Sequence, residues 1–292
     1  MKVTLGFGVI NQAGMLGRRI KVNRRFLILF FIQIGFASIQ SFAADFKMTQ
    51  ATDSNQTTQP TKWIADIQSN VHFEKLNIIK TFDKKDVSKI WLTENRNFTL
   101  GYIGENFQRL RIRILKFSKS PSNAREYLVT GKTMVKENIC EFSGTFDLNE
   151  ARKYRESEDS NFVEGVLFGK YKLLESPACK YPGTFAGLFT SDFIMDKRGD
   201  VGYDTLRMEA DGYCNNQFVG SWSQTGTKIS RVANWGDYRI PFSDKLDDGA
   251  GDFHVVEEYA AFGWNGYIKA YQGNDTQAKK QEEESWWIVK SK

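Results

Sequence analysis

Acidic residues and glycines are concentrated near the C-terminal end of this chain, between Asn234 and Trp264. Carboxylate oxygens around flexible glycines are the type of ligand that Ca²⁺ prefers, although the spacing here does not fit an EF-hand loop. A solvated loop in which Asp and Gly residues form turns explains the same composition. The candidate calcium ligands are Asp244, Asp247, Asp248 and Asp252.

The same segment offers carboxylates for the hydrolysis of glycosidic bonds. That reaction uses two carboxyl groups, one as the acid and the other as base or nucleophile, on either side of the scissile bond. The sequence does not fix the separation between them. The candidates are Asp237, Asp252, Glu257 and Glu258.

Large aromatic residues lie close to these acids in the sequence. Aromatic faces beside carboxylates suit sugar rings, and they equally suit the core of a barrel. The residues in question are Trp222, Trp235, Tyr238 and Trp264. Together with Asp237 they are the first candidate ligand-binding group.

A second candidate group is the row formed by Arg109, Arg111 and Arg113, which alternates with Leu110, Ile112 and Ile114. In a strand, such alternation places the arginines on one face, about 7 Å apart. The row suits an anionic polymer or a phosphate surface, or it pairs with acids on neighbouring strands.

Other catalytic chemistry lacks support in the sequence. The two histidines, His72 and His254, are far apart, and no nucleophile elbow, zinc-protease motif, P-loop or dinucleotide fingerprint is present. We therefore expect no cofactor apart from Ca²⁺ and favour a non-enzymatic protein.

Alternating aromatic strands separated by turn residues predict a mainly β fold, an antiparallel barrel or sandwich. Lys197–Asp200 is typical of a hairpin turn. Gly220-Ser221-Trp222 resembles the Gly-x-Trp signature of lipocalin-type barrels, which normally opens the barrel, whereas here it lies near the end; this favours a barrel. The candidate strands are Arg109–Ile114, Tyr127–Ile139, Gly165–Leu174, Thr184–Met195, Tyr203–Glu209 and Gln217–Gln224.

A short repeat joins two of the three cysteines. Cys140-x-x-x-Gly-Thr-Phe matches Cys179-x-x-x-Gly-Thr-Phe, and we interpret it as a repeated hairpin with its aromatic residue in the core. Together with Cys214 the odd number allows one disulfide and one thiol, or three small buried residues.

The N-terminus indicates export. Basic residues precede the apolar run Phe26–Phe36, and small residues end at Ala43, which predicts a signal peptide over 1–43 cleaved after Ala43. The run is too short to span a bilayer, so no membrane span remains after processing. A disordered leader is expected over 44–62 and one β-rich domain over 63–292, entered through an irregular or helical segment at 63–95.

Residues 1–43 hold six of the 40 basic residues and none of the 35 acidic ones, so the processed chain carries a formal charge of about −1. This balance gives no reason to expect a nucleic-acid partner. The leading hypothesis is a periplasmic or secreted binding module of a bacterial-type envelope, with a sugar or small amphipathic ligand. The alternatives are a secreted glycan hydrolase and a structural or assembly protein that uses the Arg109–Arg113 face.

Overall fold

The structure is a computed structural model that describes residues 54–92 and 98–288. The predicted signal peptide, its cleavage site after Ala43 and residues 44–53 of the predicted leader lie outside the described residues. The residues described belong to one compact unit.

The described residues form nine strands, and eight of them close into an antiparallel barrel. Each strand pairs with the next along the chain, except that β8 follows β6 in the barrel, β9 closes onto β1, and the short β7 pairs only with β6. The predicted barrel is therefore confirmed over the sandwich. The strands are β1 Thr99–Ile103, β2 Gln108–Lys119, β3 Glu126–Val135, β4 Asn138–Lys153, β5 Phe162–Glu175, β6 Gly183–Asp196, β7 Val201–Tyr203, β8 Asn215–Gln224 and β9 Ser230–Asp237.

Aromatic side chains fill the inside of the barrel. An eight-stranded barrel encloses an interior just wide enough to be filled by side chains. Rings at the centre lie 4.7–5.5 Å apart, within the range of favourable aromatic contacts. These residues are Phe146, Phe189, Phe218 and Trp235.

Residues 54–92 precede the first strand. They include helix α1, Ser54–Gln68, which packs against β6 and β8, and two 3₁₀ turns, Ile79–Phe82 and Ser88–Ile90, whose buried residues belong to the core at one end of the barrel. The segment ends at Trp91, whose ring stacks on Phe117 at 4.7 Å inside the barrel. Burial of this ring makes the segment part of the core.

Two glycines allow β6 and β8 to approach each other closely beside the buried side chain of Tyr171. Gly187 of β6 lies opposite Gly220 of β8. A Cβ on Gly187 would lie 2.2 Å from the carbonyl oxygen of Val219, and 2.7 Å from the Tyr171 hydroxyl. Glycine is therefore required at this contact by space, not by turn geometry.

A disulfide links Cys140 of β4 with Cys179 of the β5–β6 turn, with 5.3 Å between their Cα atoms. It joins the two units of the sequence repeat, and the phenylalanine of each, Phe146 and Phe185, is buried in the core. Cys214 carries a thiol and is half-buried. The structure therefore shows one disulfide and one thiol, not three small buried cysteines.

Residues 238–288, called the C-terminal cap below, cover the outer wall of β9, β1 and β2. A second hydrophobic core forms between cap and wall, with Leu100 and Tyr102 from β1 and Trp264 from the cap. The cap contains a 3₁₀ turn, Glu257–Phe262, the one-turn helix α2, Asn265–Tyr267, continued by a π turn, Ile268–Gln272, and helix α3, Thr276–Glu282.

Three expectations differ from the structure. The strand expected over Tyr127–Ile139 is interrupted by a turn at residues 136–137, where β3 ends and β4 begins. Residues 54–62, expected in the disordered leader, lie in α1, because Pro60 and Ile64 are buried and the helix packs against β6 and β8. The strand expected over Tyr203–Glu209 ends at Tyr203, because the Asp204 side chain accepts a hydrogen bond from the Leu206 amide and turns the chain. The expected turn at Lys197–Asp200 is present between β6 and β7.

Candidate anion-binding cleft

Strand β2 places three arginine side chains on the outer wall of the barrel. Leu110 and Ile112 point into the core, where both are buried. Because side chains alternate along a strand, Arg109, Arg111 and Arg113 point the other way, towards the C-terminal cap. The strand thus presents guanidinium groups at every second residue.

Helix α3 covers the first two of these arginines. Arg109 donates from both terminal nitrogens to the carboxylate oxygens of Glu282, at 2.9 and 2.6 Å. Arg111 donates to the Glu282 backbone carbonyl at 2.7 Å and lies 3.9 Å from its carboxylate. Because arginine holds free carboxylates by the same two-pronged geometry, Glu282 occupies the position that an external anion would take.

Tryptophan rings of the cap lie over the guanidinium groups. The Arg111 group is 5.6 Å from the ring centre of Trp286, and the Arg113 group is 4.4 Å from that of Trp287. These distances are typical of cation–π contacts. The cleft therefore combines positive charge with flat apolar faces.

A small cavity of about 30 Å³ opens between the arginine row and the cap. Its walls include Tyr267 and Tyr271 besides the arginines, Glu282 and the two tryptophans. That volume holds about one or two water molecules. A larger ligand would place only its charged end here unless Trp286 and Trp287 move.

Burial and neighbouring charges shift the pKa values of Arg111 and Glu282 in the cleft. Desolvation, together with the charge of Arg109, lowers the pKa of Arg111 to about 10, so it stays charged at neutral pH. Desolvation alone would raise the pKa of Glu282, but the hydrogen bond and charge of Arg109 and the charge of Arg111 bring it below its ordinary value. Two half-buried cations thus share one carboxylate.

Trp235 and Trp264 lie on opposite sides of the barrel wall. Trp235 is 2% exposed inside the barrel and stacks on Phe218 at 4.7 Å. Trp264 is fully buried in the core of the cap, where its indole nitrogen donates to the Phe107 carbonyl at 2.8 Å. Their closeness in sequence reflects two separate cores.

The other residues of the first candidate group are also apart. Asp237 is buried and accepts hydrogen bonds from Thr99 and Asn216, both at 2.7 Å. Tyr238 stacks on a neighbouring phenylalanine at 4.4 Å, while Trp222, towards the opposite end of β8, donates to Glu175 at 2.9 Å. The structure does not bring these five residues into one surface, and ligand binding by them stays a prediction.

The acidic loop is held by internal hydrogen bonds. Asp247 forms an ion pair with Arg239 at 2.6 Å and accepts the His254 amide, while Asp248 lies 2.7 Å from the His254 ring. Asp244 and Asp252 are exposed, as are Glu257 and Glu258. Within residues 54–92 and 98–288, no cluster of three or more His, Cys, Asp or Glu side chains is placed to hold a metal ion.

Sequence reasoning did not find the partners of the arginine row. Glu282, Trp286 and Trp287 come from a polar C-terminal stretch, more than 170 residues after Arg109. The adjacent tryptophans in such a stretch were the available signal. Nothing local connects them to β2.

Comparisons with protein-family models, curated proteins and solved structures found no match to this chain. In the part of the chain that the structure describes, no helix has the length and apolar character needed to cross a membrane.

Proposed function

We propose that this protein is an exported, non-enzymatic binding protein, and that the cleft between β2 and the C-terminal cap holds the anionic group of a small amphipathic ligand. The observation that supports this most directly is that Arg109 and Arg111 share the single carboxylate of Glu282. An external anion would compete with Glu282 for Arg109, or it would bind Arg111 and neutralise its charge.

The chemistry of the cleft indicates the class of ligand. Guanidinium groups match the geometry of carboxylate and phosphate oxygens. The faces of Trp286 and Trp287 suit an apolar chain or a ring. The ligand we propose therefore has a carboxylate or phosphate at one end and an apolar part that rests on these rings.

Export remains part of the proposal. The Cys140–Cys179 disulfide is compatible with an oxidising compartment, where such bonds form and persist. Cleavage after Ala43 would deliver the barrel to a periplasmic or extracellular space, and the proposed amphipathic ligand would be bound there.

Titration with phenyl phosphate, followed by tryptophan fluorescence, tests the cleft. We expect a saturable change in the natural protein, with benzyl alcohol as the neutral control producing none. Arg111→Met should weaken binding about 10- to 100-fold, the usual cost of losing a hydrogen bond to a charged group. Arg125→Met is the matched control, because Arg125 also pairs with an acid, Asp83, at another part of the surface.

Two results would contradict the proposal. One is the absence of any saturable binding, and the other is an equal loss of affinity in the Arg111→Met and Arg125→Met variants. Native mass spectrometry of the protein from its own host adds a test without a chosen probe. An adduct of a few hundred daltons that disappears in the Arg111→Met variant would support the cleft.

A further inference from the structure

Three hairpin turns at the end of the barrel opposite residues 54–92 form one continuous surface, called the tip surface below. The turns are those between β3 and β4, β5 and β6, and β8 and β9. Asn138 donates to the Lys180 carbonyl at 2.6 Å, and the Thr225 amide donates to the Pro182 carbonyl at 2.9 Å. The Cys140–Cys179 disulfide fixes the central turn, so the surface has a defined shape.

Apolar side chains project from this surface. Ile139, Tyr181 and Ile229, which belong to or flank these turns, are 41%, 59% and 45% exposed. Tyr181 adopts a left-handed backbone conformation, with φ of 57°. Lys136, on the β3–β4 turn, adopts the same conformation, with φ of 56°. The fold's own packing leaves most of the Tyr181 side chain exposed.

Positive charge surrounds these apolar groups. Lys136, Lys180 and Lys228 are all exposed on the three turns. Of the acids nearby, Glu141 lies 3.1 Å from Lys132 of the neighbouring strand. Glu175 is half-buried and accepts hydrogen bonds from Thr133, Gly183 and Trp222, so Glu137 is the exposed acid on the three turns. The tip surface therefore has a positive balance, in contrast with the processed chain as a whole.

We infer that the tip surface docks on an anionic lipid surface. Tyrosine and isoleucine side chains enter the head-group region, and the lysines contact the lipid phosphates. A second protein is the weaker fit, because three separated apolar side chains interleaved with lysines fall short of the area that a stable protein interface buries. This inference does not depend on the anion-binding cleft.

Vesicle flotation tests the inference with the exported protein, whose N-terminus is first verified by mass spectrometry. Vesicles of phosphatidylcholine alone are compared with vesicles that contain 30% phosphatidylglycerol, a composition chosen here for roughly −30 mV of surface potential. We expect binding to the anionic vesicles, reduced by salt. Lys180→Gln with Lys228→Gln should weaken it about 30-fold, from the usual contribution of each lysine near such a surface.

A second double variant separates the contribution of the apolar side chains to vesicle binding from that of the lysines. Tyr181→Ser with Ile229→Ser removes the apolar groups and keeps the positive charge. The matched control is Lys84→Gln with Lys197→Gln, at the opposite end, where Lys85 contacts Gly199. The inference is overturned if the natural protein does not bind anionic vesicles, or if the control variant loses as much binding as the tip variants. A dimer that depends on Tyr181 and Ile229, without vesicle binding, would overturn it in favour of a second copy of the chain.

Discussion

Replacing Trp91 by alanine tests whether the N-terminal segment is part of the barrel core. The Trp91 ring is 1% exposed, and its centre lies within 6 Å of the ring centres of Phe117, Tyr127 and Phe146. Its indole nitrogen donates to the Ser191 hydroxyl at 3.0 Å. Truncation of a fully buried tryptophan to alanine typically costs 3–5 kcal/mol. We expect about 4 kcal/mol here, because the surrounding rings belong to fixed strands and cannot fill the space.

Trp91→Phe separates the contribution of the hydrogen bond from that of the buried ring. Phenylalanine keeps much of the ring but removes the hydrogen bond to Ser191, so we expect a loss of about 1–2 kcal/mol. Trp286→Ala is the matched control, because that ring is only partly buried at the outer cleft. We expect it to cost less than about 1.5 kcal/mol.

Urea unfolding followed by circular dichroism measures these free energies. For a domain of this size, about 4 kcal/mol corresponds to a fall in the melting temperature of roughly 8–16 °C. If Trp91→Ala costs less than Trp286→Ala, the N-terminal segment does not stabilise the barrel, and the reasoning is refuted. The urea m-value should stay unchanged in all variants, since the folded state remains equally compact.

Two further predictions concern the disulfide and the cap. Replacing Cys140 and Cys179 together by serine should lower the free energy of unfolding by about 4 kcal/mol, from the entropy of a closed loop of 39 residues; a loss below about 1 kcal/mol on urea unfolding would contradict this. The pKa of Glu282 is lowered in the folded state, so its ion pair contributes stability above the ordinary value of 4.5 and loses it as pH falls through the folded pKa. Tryptophan fluorescence should therefore report loosening of the cap below pH 4.5, and the same transition in Glu282→Gln would exclude Glu282 as its cause.

Strand β2 was accessible from sequence because only one of its faces is buried. Arg109–Ile114 alternates because its arginines face outward and its apolar residues face the barrel core. Strand β9 escaped prediction because the cap covers its outer face. Asn234, between the inward-facing Ala233 and Trp235, is therefore as buried as they are. Burial on both faces removes this alternation from β9, whereas β6, which is also buried on both faces, was identified as a segment set off by turn residues.

The candidate sites were predicted less well than the fold, because proximity in sequence is a poor guide to proximity across a barrel wall. Trp235 and Asp237 are two residues apart, yet one fills the barrel and the other lies in a polar network at its end. The sequence correctly placed the three arginines in one row. It did not identify their partner Glu282, because an ion pair between residues far apart in the chain leaves no local pattern in the sequence.

The packed interior is the reason for proposing recognition on the outer surface of the barrel. Barrels of eight strands hold a ligand only when small side chains leave space inside, whereas here Trp91, Phe146 and Trp235 occupy that space. The groups proposed to bind a partner lie instead on the outer wall, at Arg111, and on the tip surface. A barrel filled with aromatic rings serves as a rigid support for such outer sites, because its closed strands and disulfide hold the exposed side chains in fixed positions. We therefore expect substitutions inside the barrel to change stability, and those at Tyr181 to change binding with little effect on unfolding.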